Sequence, residues 1–277
     1  MKILKNITVF TMVMLLSVST VLEAREKNIS NFSSSASNLV DSTGTFDGNK
    51  IYADVANNGL FLDYHVSGDS ALEWPKGTGV HSIFQSALWM GATVNGSIRT
   101  IVGDYTQDMG PGPWGGDPLA AVHRIYKVEK SMLASPLDFA DFQEWPVEFG
   151  APWVDVDGDG VYTPLPGGTD HPEFLGDQVL WFVSNDGDPA YKLNFGTSPM
   201  NVEIQTTMFG FDRPDVFGDM VFLKQLVINK GSDDLVDTYM GLWSDPDLGY
   251  AGDDFVGCDV ALGLSLIHIS EPTRPLD

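Results

Sequence analysis

The chain has one cysteine, Cys258, and few basic residues. A single cysteine cannot form an internal disulfide, so the stability must come from an apolar core and from any bound metal. Lys and Arg total 15 against 38 Asp and Glu, a formal net charge of −23. Nucleic acids and anionic membrane surfaces are bound through clustered cations. The composition therefore disfavours both kinds of partner.

The main long apolar run lies near the start of the chain, from Ile7 to Leu22. It is shorter than the ~20 residues that cross a bilayer. Lys2 precedes it and the small residue Ala24 follows it. This pattern predicts a signal peptide over residues 1–24, cleaved near Ala24, with an uncleaved N-terminal anchor as the alternative. We expect a secreted or outer-surface protein with no integral membrane span after cleavage.

Two further segments differ in composition from the rest. Residues 25–50 are rich in Ser and Asn and predict a flexible linker. Residues 264–274 resemble the in-frame translation of a sequencing-library adapter. We therefore expect 264–277 to be an artefact that follows the N-terminal fragment of a longer protein. Between them we distinguish a β-rich region, 51–150, and a β-sandwich region with an Asp-rich loop, 151–263, as either one β domain or two.

The middle of the chain consists of short apolar stretches separated by Gly, Asp and Pro. Asn95-Gly96 is the preferred two-residue hairpin turn, so the flanking stretches should pair. One helix is predicted, from Leu137 to Trp145. Other strand-length runs follow at 178–183, 202–211, 220–229 and 237–243. Such spacing predicts an all-β, β-sandwich-like fold with one short helix and long Gly/Asp/Pro-rich loops.

The strongest chemical motif is an Asp-rich loop. Asp155, Asp157 and Asp159 alternate, Gly160 follows at the sharp turn, and the carbonyl of Val161 adds another oxygen. Ca²⁺ prefers several hard oxygen ligands at this kind of spacing. The motif therefore predicts a Ca²⁺ site, with a plain solvated acidic turn as the alternative.

The loop does not belong to an EF-hand. Pro166 stands where the twelfth-position Glu would be, and Pro152 and Pro164 are incompatible with the two flanking helices. The remaining ligands must come from elsewhere. The nearby acids that can complete the site are Asp170, Glu173 and Asp177, of which Asp170 is included in the predicted ligand set.

A second acidic cluster lies near the end of the readable sequence. Its members are Asp245, Asp247, Asp253 and Asp254. Their spacing matches no standard ligand set. The cluster is a weaker candidate metal site, and an exposed loop of turn-forming residues is the alternative.

Templates for catalysis are absent. Gly110-Pro-Gly-Pro-Trp-Gly115 matches GxGxxG in form, but Pro111 and Pro113 lack the amides that a phosphate would need. There is no GxSxG elbow, HExxH or P-loop. The sequence therefore nominates no catalytic and no cofactor-binding residue apart from the metal ligands. Exposed tryptophans can line a sugar-binding face, and the candidates are Trp74, Trp89 and Trp114, with burial in the core as the alternative.

An ordered set of motifs extends across residues 51–263. It comprises Asn57-Asn-Gly59, Trp74-Pro-Lys-Gly-Thr-Gly79, Ile83-Phe-Gln-Ser-Ala-Leu-Trp-Met-Gly91, Gly110 to Pro113, Gly150-Ala-Pro-Trp-Val-Asp-Val-Asp-Gly-Asp-Gly160, Gly176-Asp-Gln178, and Trp243 to Asp259. Together these motifs resemble large secreted proteins of Bacteroidetes-type bacteria that carry a C-terminal type IX sorting domain. The resemblance implies export and a multidomain β-rich architecture, and it implies no catalytic activity.

These observations favour an exported, calcium-stabilised, non-catalytic β-protein with an adhesive or scaffolding role. The alternative is a secreted calcium-dependent hydrolase of polysaccharide or protein, or its carbohydrate-binding module. Glycans or other surface proteins are the expected partners. The sequence leaves enzymatic activity, the natural ligand and the oligomeric state open.

Overall fold

The structure is a computed structural model that describes residues 3–4, 8–15, 43–64, 69–165, 170–248 and 254–269. Its strands are β1 (Ile3–Leu4), β2 (Thr8–Leu15), β3 (Thr43–Phe46), β4 (Tyr52–Ala56), β5 (Leu72–Glu73), β6 (His81–Val94), β7 (Ser97–Val102), β8 (Gly110–Pro111), β9 (Tyr126–Glu129), β10 (Trp153–Val154), β11 (His171–Pro172), β12 (Gln178–Asn185), β13 (Val202–Gly210), β14 (Met220–Asn229), β15 (Leu235–Pro246), β16 (Asp254–Asp259) and β17 (Leu264–Ile269). The helix α1 spans Ala140–Gln143, and short 3-10 turns cover Ala121–His123, Lys130–Ala134, Pro136–Asp138, Val147–Phe149, Pro189–Tyr191 and Val216–Asp219.

The larger strands form two antiparallel sheets. Sheet A has the order β1-β15-β6-β5-β4-β3, with β7 also paired to β6. Sheet B has the order β2-β14-β13-β12-β8, with β9 also paired to β12. The remaining strands form two separate two-stranded ribbons, β10–β11 and β16–β17. The predicted all-β class is therefore confirmed.

The β6–β7 hairpin has the turn that its sequence predicts. Asn95 and Gly96 both have positive φ, 50° and 78°. Two successive positive-φ residues are what a type I′ turn requires, and its twist matches that of the paired strands. Val94 consequently pairs with Ser97, and the register continues to Trp89 and Val102.

The main core lies between the two sheets. Leu88 and Met90 of β6 pack in one cluster with Val202 and Ile204 of β13. A second cluster joins strands of sheet A with the β12 residues Leu180 and Phe182 and with residues of β13 and β14. Sheet A and sheet B therefore form a sandwich.

Sheet B is covered on its other face as well. Val179, Trp181 and Val183 of β12 pack there against Phe142 of α1 and Trp145 just after it. All eight residues of β12 are buried. A strand that is covered on both faces is rich in apolar residues, which explains the hydrophobic run from 179 to 183. The buried polar residues at its ends, Gln178 and Asn185, make hydrogen bonds.

The structure differs from three expectations drawn from the sequence. The predicted linker is wrong from Thr43 onward, because β3 pairs with β4 and the side chain of Phe46 is fully buried. The predicted helix is wrong in length, because Phe139 has an extended φ of −123° and separates a 3-10 turn from the four-residue α1. Regions 51–150 and 151–263 do not have separate sheets, since β15 lies in sheet A and β8 and β9 in sheet B.

Both ends of the described chain contribute strands. β2 pairs with β14 at one edge of sheet B, while β17 pairs with β16 only. The predicted cleavage site near Ala24, residues 25–42 and residues 270–277 lie outside the described residues. Over the described part of the chain, the structure has no helix with the length and apolar character needed to cross a membrane.

Candidate metal centre

The Asp-rich loop is closed by a short antiparallel ribbon. Its strands β10 and β11 pair Trp153 with Pro172 and Val154 with His171. Asp155 directly follows the last residue of β10, and Asp170 directly precedes the first residue of β11. The ribbon therefore holds these two aspartates side by side at the mouth of the loop, although 15 positions separate them in the sequence.

Four carboxylates meet at this loop. Oxygen atoms of Asp155, Asp157, Asp159 and Asp170 all lie within 4.8 Å of one another. The first three side chains are exposed and Asp170 is buried. The cluster is thus open to solvent on one side and has a buried carboxylate at its base, which is an arrangement that can hold a metal ion.

Backbone amides fix the carboxylates in place. Asp155 accepts hydrogen bonds from the amides of Gly158 (2.7 Å) and Gly160 (2.9 Å), and Asp159 accepts one from Val161 (2.7 Å). The φ of Gly160 is 76°, which a residue with a Cβ adopts only with strain. The Asp and Gly positions of the motif therefore build one turn.

Asp170 ties the two halves of the loop together. Its Oδ1 accepts a hydrogen bond from the amide of Val156 (2.9 Å), and its Oδ2 accepts one from the amide of Thr163 (2.7 Å). Each carboxylate oxygen has further lone pairs for a cation. One buried side chain thus fixes the shape of the loop and remains available as a ligand.

In the described part of the chain, no basic side chain forms an ion pair with the cluster. Among the described residues, the ion pairs of Lys and Arg involve other acids, and none reaches Asp155, Asp157, Asp159 or Asp170. Like charges at such short separation disfavour one another, and a bound cation reverses the sign of that interaction. The electrostatics favour a divalent cation at this position.

The Asp-rich loop is anchored to the core on the outer face of sheet B. The hydroxyl of Tyr162 donates a hydrogen bond to the carbonyl of Phe142 (2.6 Å). Its ring meets that of Trp153 edge to face, with centroids 5.6 Å apart. Burial, with the Asp170 charge as a second cause, raises the pKa of Tyr162, so the hydroxyl remains a donor. Order in the loop is therefore coupled to this core.

Asp177 and Glu173, the other two acids considered as ligands, do not belong to the group of four carboxylates. Asp177 pairs with Lys130 at 3.2 Å, and Glu173 is not a member of the group of four. Val161 lies in the loop, and its carbonyl oxygen is 3.4 Å from the hydroxyl of Thr163. Asp170 alone of the three nearby acids completes the carboxylate set.

The second acidic cluster is not assembled in the same way. Asp245 accepts a hydrogen bond from the hydroxyl of Tyr105 (2.8 Å), and Asp254 accepts one from the amide of Leu248 (3.0 Å). Asp247 is buried, and Asp253 lies outside the described residues. Within the described residues, the only such acidic group is the one around Asp155. A metal at the second cluster stays a prediction.

The three tryptophans that the sequence offered as a sugar-binding face do not share one surface. Trp74 packs against the core, and its indole N–H donates to Asp219. Trp89 lies on sheet A and is 36% exposed, whereas Trp114 is 42% exposed and follows β8. The amide of Trp114 donates to Glu203, so the GxGxxG-like segment is an anchored loop.

Two groups of residues have no counterpart among the motifs of the sequence. Trp243 stacks beside Trp89, with ring planes 5° apart. Lys192 forms a buried ion pair with Asp108 at 2.9 Å. Both arrangements join residues that are far apart in the chain, and no short sequence motif predicts either of them.

Comparison with known proteins identified no relative. No family model matches the chain, and neither a curated protein nor a solved structure is similar to it.

Proposed function

We propose that the protein is an exported, calcium-stabilised, non-catalytic β-protein with an adhesive or scaffolding role at the cell surface or in the medium. The observation that carries this proposal is the group of four carboxylates, with no neutralising basic side chain among the described residues. Ca²⁺ is the ion that fits best, because it prefers carboxylate and carbonyl oxygens and accepts irregular geometry. Export and type IX secretion rest on the N-terminal sequence and on the family resemblance.

The role of the ion in this proposal is structural. The amides of Val156, Gly158, Gly160 and Thr163 already shape the loop around Asp155 and Asp170. A cation there would cancel the repulsion between carboxylates and hold the loop against the core below it. Ca²⁺ binding would thus stabilise the folded protein in a calcium-bearing medium.

The size of this effect follows from mass action. Extracellular calcium modules have dissociation constants of about 10⁻⁴–10⁻³ M. At about 10 mM Ca²⁺, binding would stabilise the protein by about 1.4–2.7 kcal/mol. For a domain of this size that corresponds to a rise in Tm of roughly 3–10 °C.

Asp157→Asn provides the test. This change removes one charge but keeps the oxygen that accepts the amide of Asp159. We expect the variant to lose much of the Ca²⁺-dependent rise in Tm, because a neutral amide binds Ca²⁺ less strongly than a carboxylate. In chelator it should melt at or slightly above the wild-type Tm, because one repelling charge is gone. Circular dichroism measures both.

Asp117→Asn is the matched control, because exposed Asp117 accepts the amide two residues ahead in the same way but lies outside the cluster. This variant should keep the full response to Ca²⁺. An equal loss of stability by Asp157→Asn with and without Ca²⁺ would refute the metal role.

A further inference from the structure

The outer face of the β6–β15 pair carries a row of aromatic side chains. Residues directly opposite one another on paired strands share a face, as do alternate residues of one strand. The cross-strand pairs on this face are Gly91 with Tyr239, Trp89 with Gly241, Ala87 with Trp243, and Gln85 with Asp245. Each aromatic residue therefore lies opposite a glycine or an alanine, and the last pair is polar.

The intervening residues of both strands point the other way. Leu88 and Met90 are buried between the sheets, and Met240 and Leu242 pack against the same core. The aliphatic side chains of this stretch thus belong to the interior, whereas the aromatic ones belong to the surface. Exposure agrees with this division, since Tyr239 is 78% exposed.

The two indoles are parallel and stacked side by side. The ring planes of Trp89 and Trp243 are 5° apart and their centroids are 6.0 Å apart. Tyr105 meets Trp243 edge-on, with centroids 5.6 Å apart. A Cβ built at Gly241 would touch nothing within 4 Å, so the space above this glycine is open. We call Trp89, Trp243, Tyr105 and Tyr239 the aromatic face.

Hydrogen bonds hold the rings in place. The indole N–H of Trp89 donates to the carbonyl of Gly103 (2.5 Å), and the hydroxyl of Tyr105 donates to Asp245 (2.8 Å). The aromatic face is therefore preorganised, and preorganisation reduces the entropic cost of binding.

The polar end of the aromatic face offers hydrogen-bond acceptors. Asp245 has a second carboxylate oxygen, and Gln85 lies opposite it in the register. Gln85 is fully buried and donates to Asp63 (3.2 Å), but its side-chain carbonyl has no hydrogen-bond partner. Because Gln85 is buried, Asp245 is the acceptor that this end of the face presents to a ligand.

We propose that the aromatic face binds a neutral glycan chain. The C–H face of a pyranose ring carries partial positive charge and stacks on the negative face of an indole. The sugar hydroxyls can donate to Asp245 at the polar end of the face. The net charge of −23 repels polyuronates, so a neutral chain is favoured over an anionic one. This inference is independent of the metal centre.

A purely structural role for these rings makes a different prediction. Aromatic side chains that lie over glycines also stabilise sheets. If the role is only structural, removal of a ring would lower the Tm, and neither the wild type nor the variant would bind a glycan. Binding and stability must therefore be measured on the same variants.

The experiment is affinity electrophoresis of the full chain in gels that contain one soluble polysaccharide each. The probes are β-1,3-glucan, mixed-linkage β-glucan, mannan and xylan, with polygalacturonate as the charged contrast. Trp89→Ala and Trp243→Ala test the face. Trp114→Ala is the matched control, because this exposed indole also donates a hydrogen bond but lies elsewhere. Tyr239→Ala, at a highly exposed site, tests the face if the other variants fail to fold.

We expect at least one neutral polysaccharide to retard the wild type, with no retardation by polygalacturonate. Each substitution of a tryptophan of the face should weaken binding about tenfold or more, as loss of an aromatic stacking platform does elsewhere. Trp114→Ala should bind like wild type. The proposal is overturned if no neutral polysaccharide binds, or if the folded variants of the face bind as tightly as wild type. Binding in chelator below the Tm should persist, which separates this outcome from the calcium proposal.

Discussion

Replacement of Lys192 by Met tests whether a buried charge network holds the two sheets in place. The Lys192 amine lies 2.9 Å from Asp108 and 3.9 Å from Asp186, and the three side chains are 2%, 1% and 0% exposed. Asp186 also accepts the amides of Met200 and Val202, both at 2.7 Å. Met would fill a similar volume but would leave both carboxylates without their cation.

Loss of one partner from a buried ion pair costs about 3–5 kcal/mol, because the remaining charge is buried and uncompensated. In a domain of this size, such a loss lowers the Tm by roughly 6–20 °C. Lys50→Met provides the scale, since Lys50 pairs with Asp219 at the surface and is 42% exposed. Its loss should cost no more than about 1 kcal/mol.

The loss of unfolding free energy caused by Lys192→Met should also depend on pH. Burial raises the pKa of Asp186, so its contribution to stability is present below its unfolded pKa and is lost as the pH rises through the native pKa. Removal of the cation raises that pKa further. The loss of stability should therefore be smaller at about pH 4, where Asp begins to protonate in unfolded chains, than at about pH 8.

Urea unfolding of wild type, Lys192→Met and Lys50→Met at both pH values measures these quantities. A deficit for Lys192→Met as small as that for Lys50→Met, or one that does not change with pH, would refute the description of this network as buried and uncompensated. Asp108→Asn in the Lys192→Met background should recover part of the loss, because it removes one of the stranded charges.

Two smaller predictions concern the loops. Gly112→Ala and Gly77→Ala both replace a glycine of positive φ, 92° and 85° respectively. A Cβ at Gly112 would lie 2.4 Å from the His123 ring, whereas a Cβ at Gly77 would have no atom within 4 Å. Gly112→Ala should cost about 1–3 kcal/mol more in urea unfolding, and equal losses would contradict the clash. Tyr162→Phe removes the hydroxyl bond to Phe142 and should lower stability by about 1 kcal/mol in calcium-free buffer; an unchanged Tm would show that this bond does not anchor the loop.

The features that sequence alone predicted are those determined by neighbouring residues. The Asn95-Gly96 turn and the alternating aspartates each lie within a few residues, so turn chemistry and ligand spacing are visible directly in the sequence. Asp170 could be included in the ligand set because it lies near the loop in the sequence. The structure shows that it joins the group of four carboxylates, since the ribbon of Val154 and His171 places it beside Asp155.

The features that sequence missed depend on pairing between distant strands. β15 joins β6 in sheet A, so Trp243 comes to lie beside Trp89, and nothing local announces that register. The network around Lys192 likewise depends on how the sheets pack. The predicted helix was too long because the extended backbone at Phe139 interrupts it.

The most direct test of the account is a terbium titration of the metal centre. Tb³⁺ occupies oxygen-rich calcium sites, and the Trp153 indole, two residues before Asp155, can transfer excitation to it. We expect Tb³⁺ luminescence on tryptophan excitation to saturate at one ion per chain, to be displaced by Ca²⁺ at about 10⁻⁴–10⁻³ M, and to be strongly reduced in Asp157→Asn but not in Asp117→Asn. Equal luminescence from the two variants, or no competition by Ca²⁺, would contradict a calcium site built from Asp155, Asp157, Asp159 and Asp170.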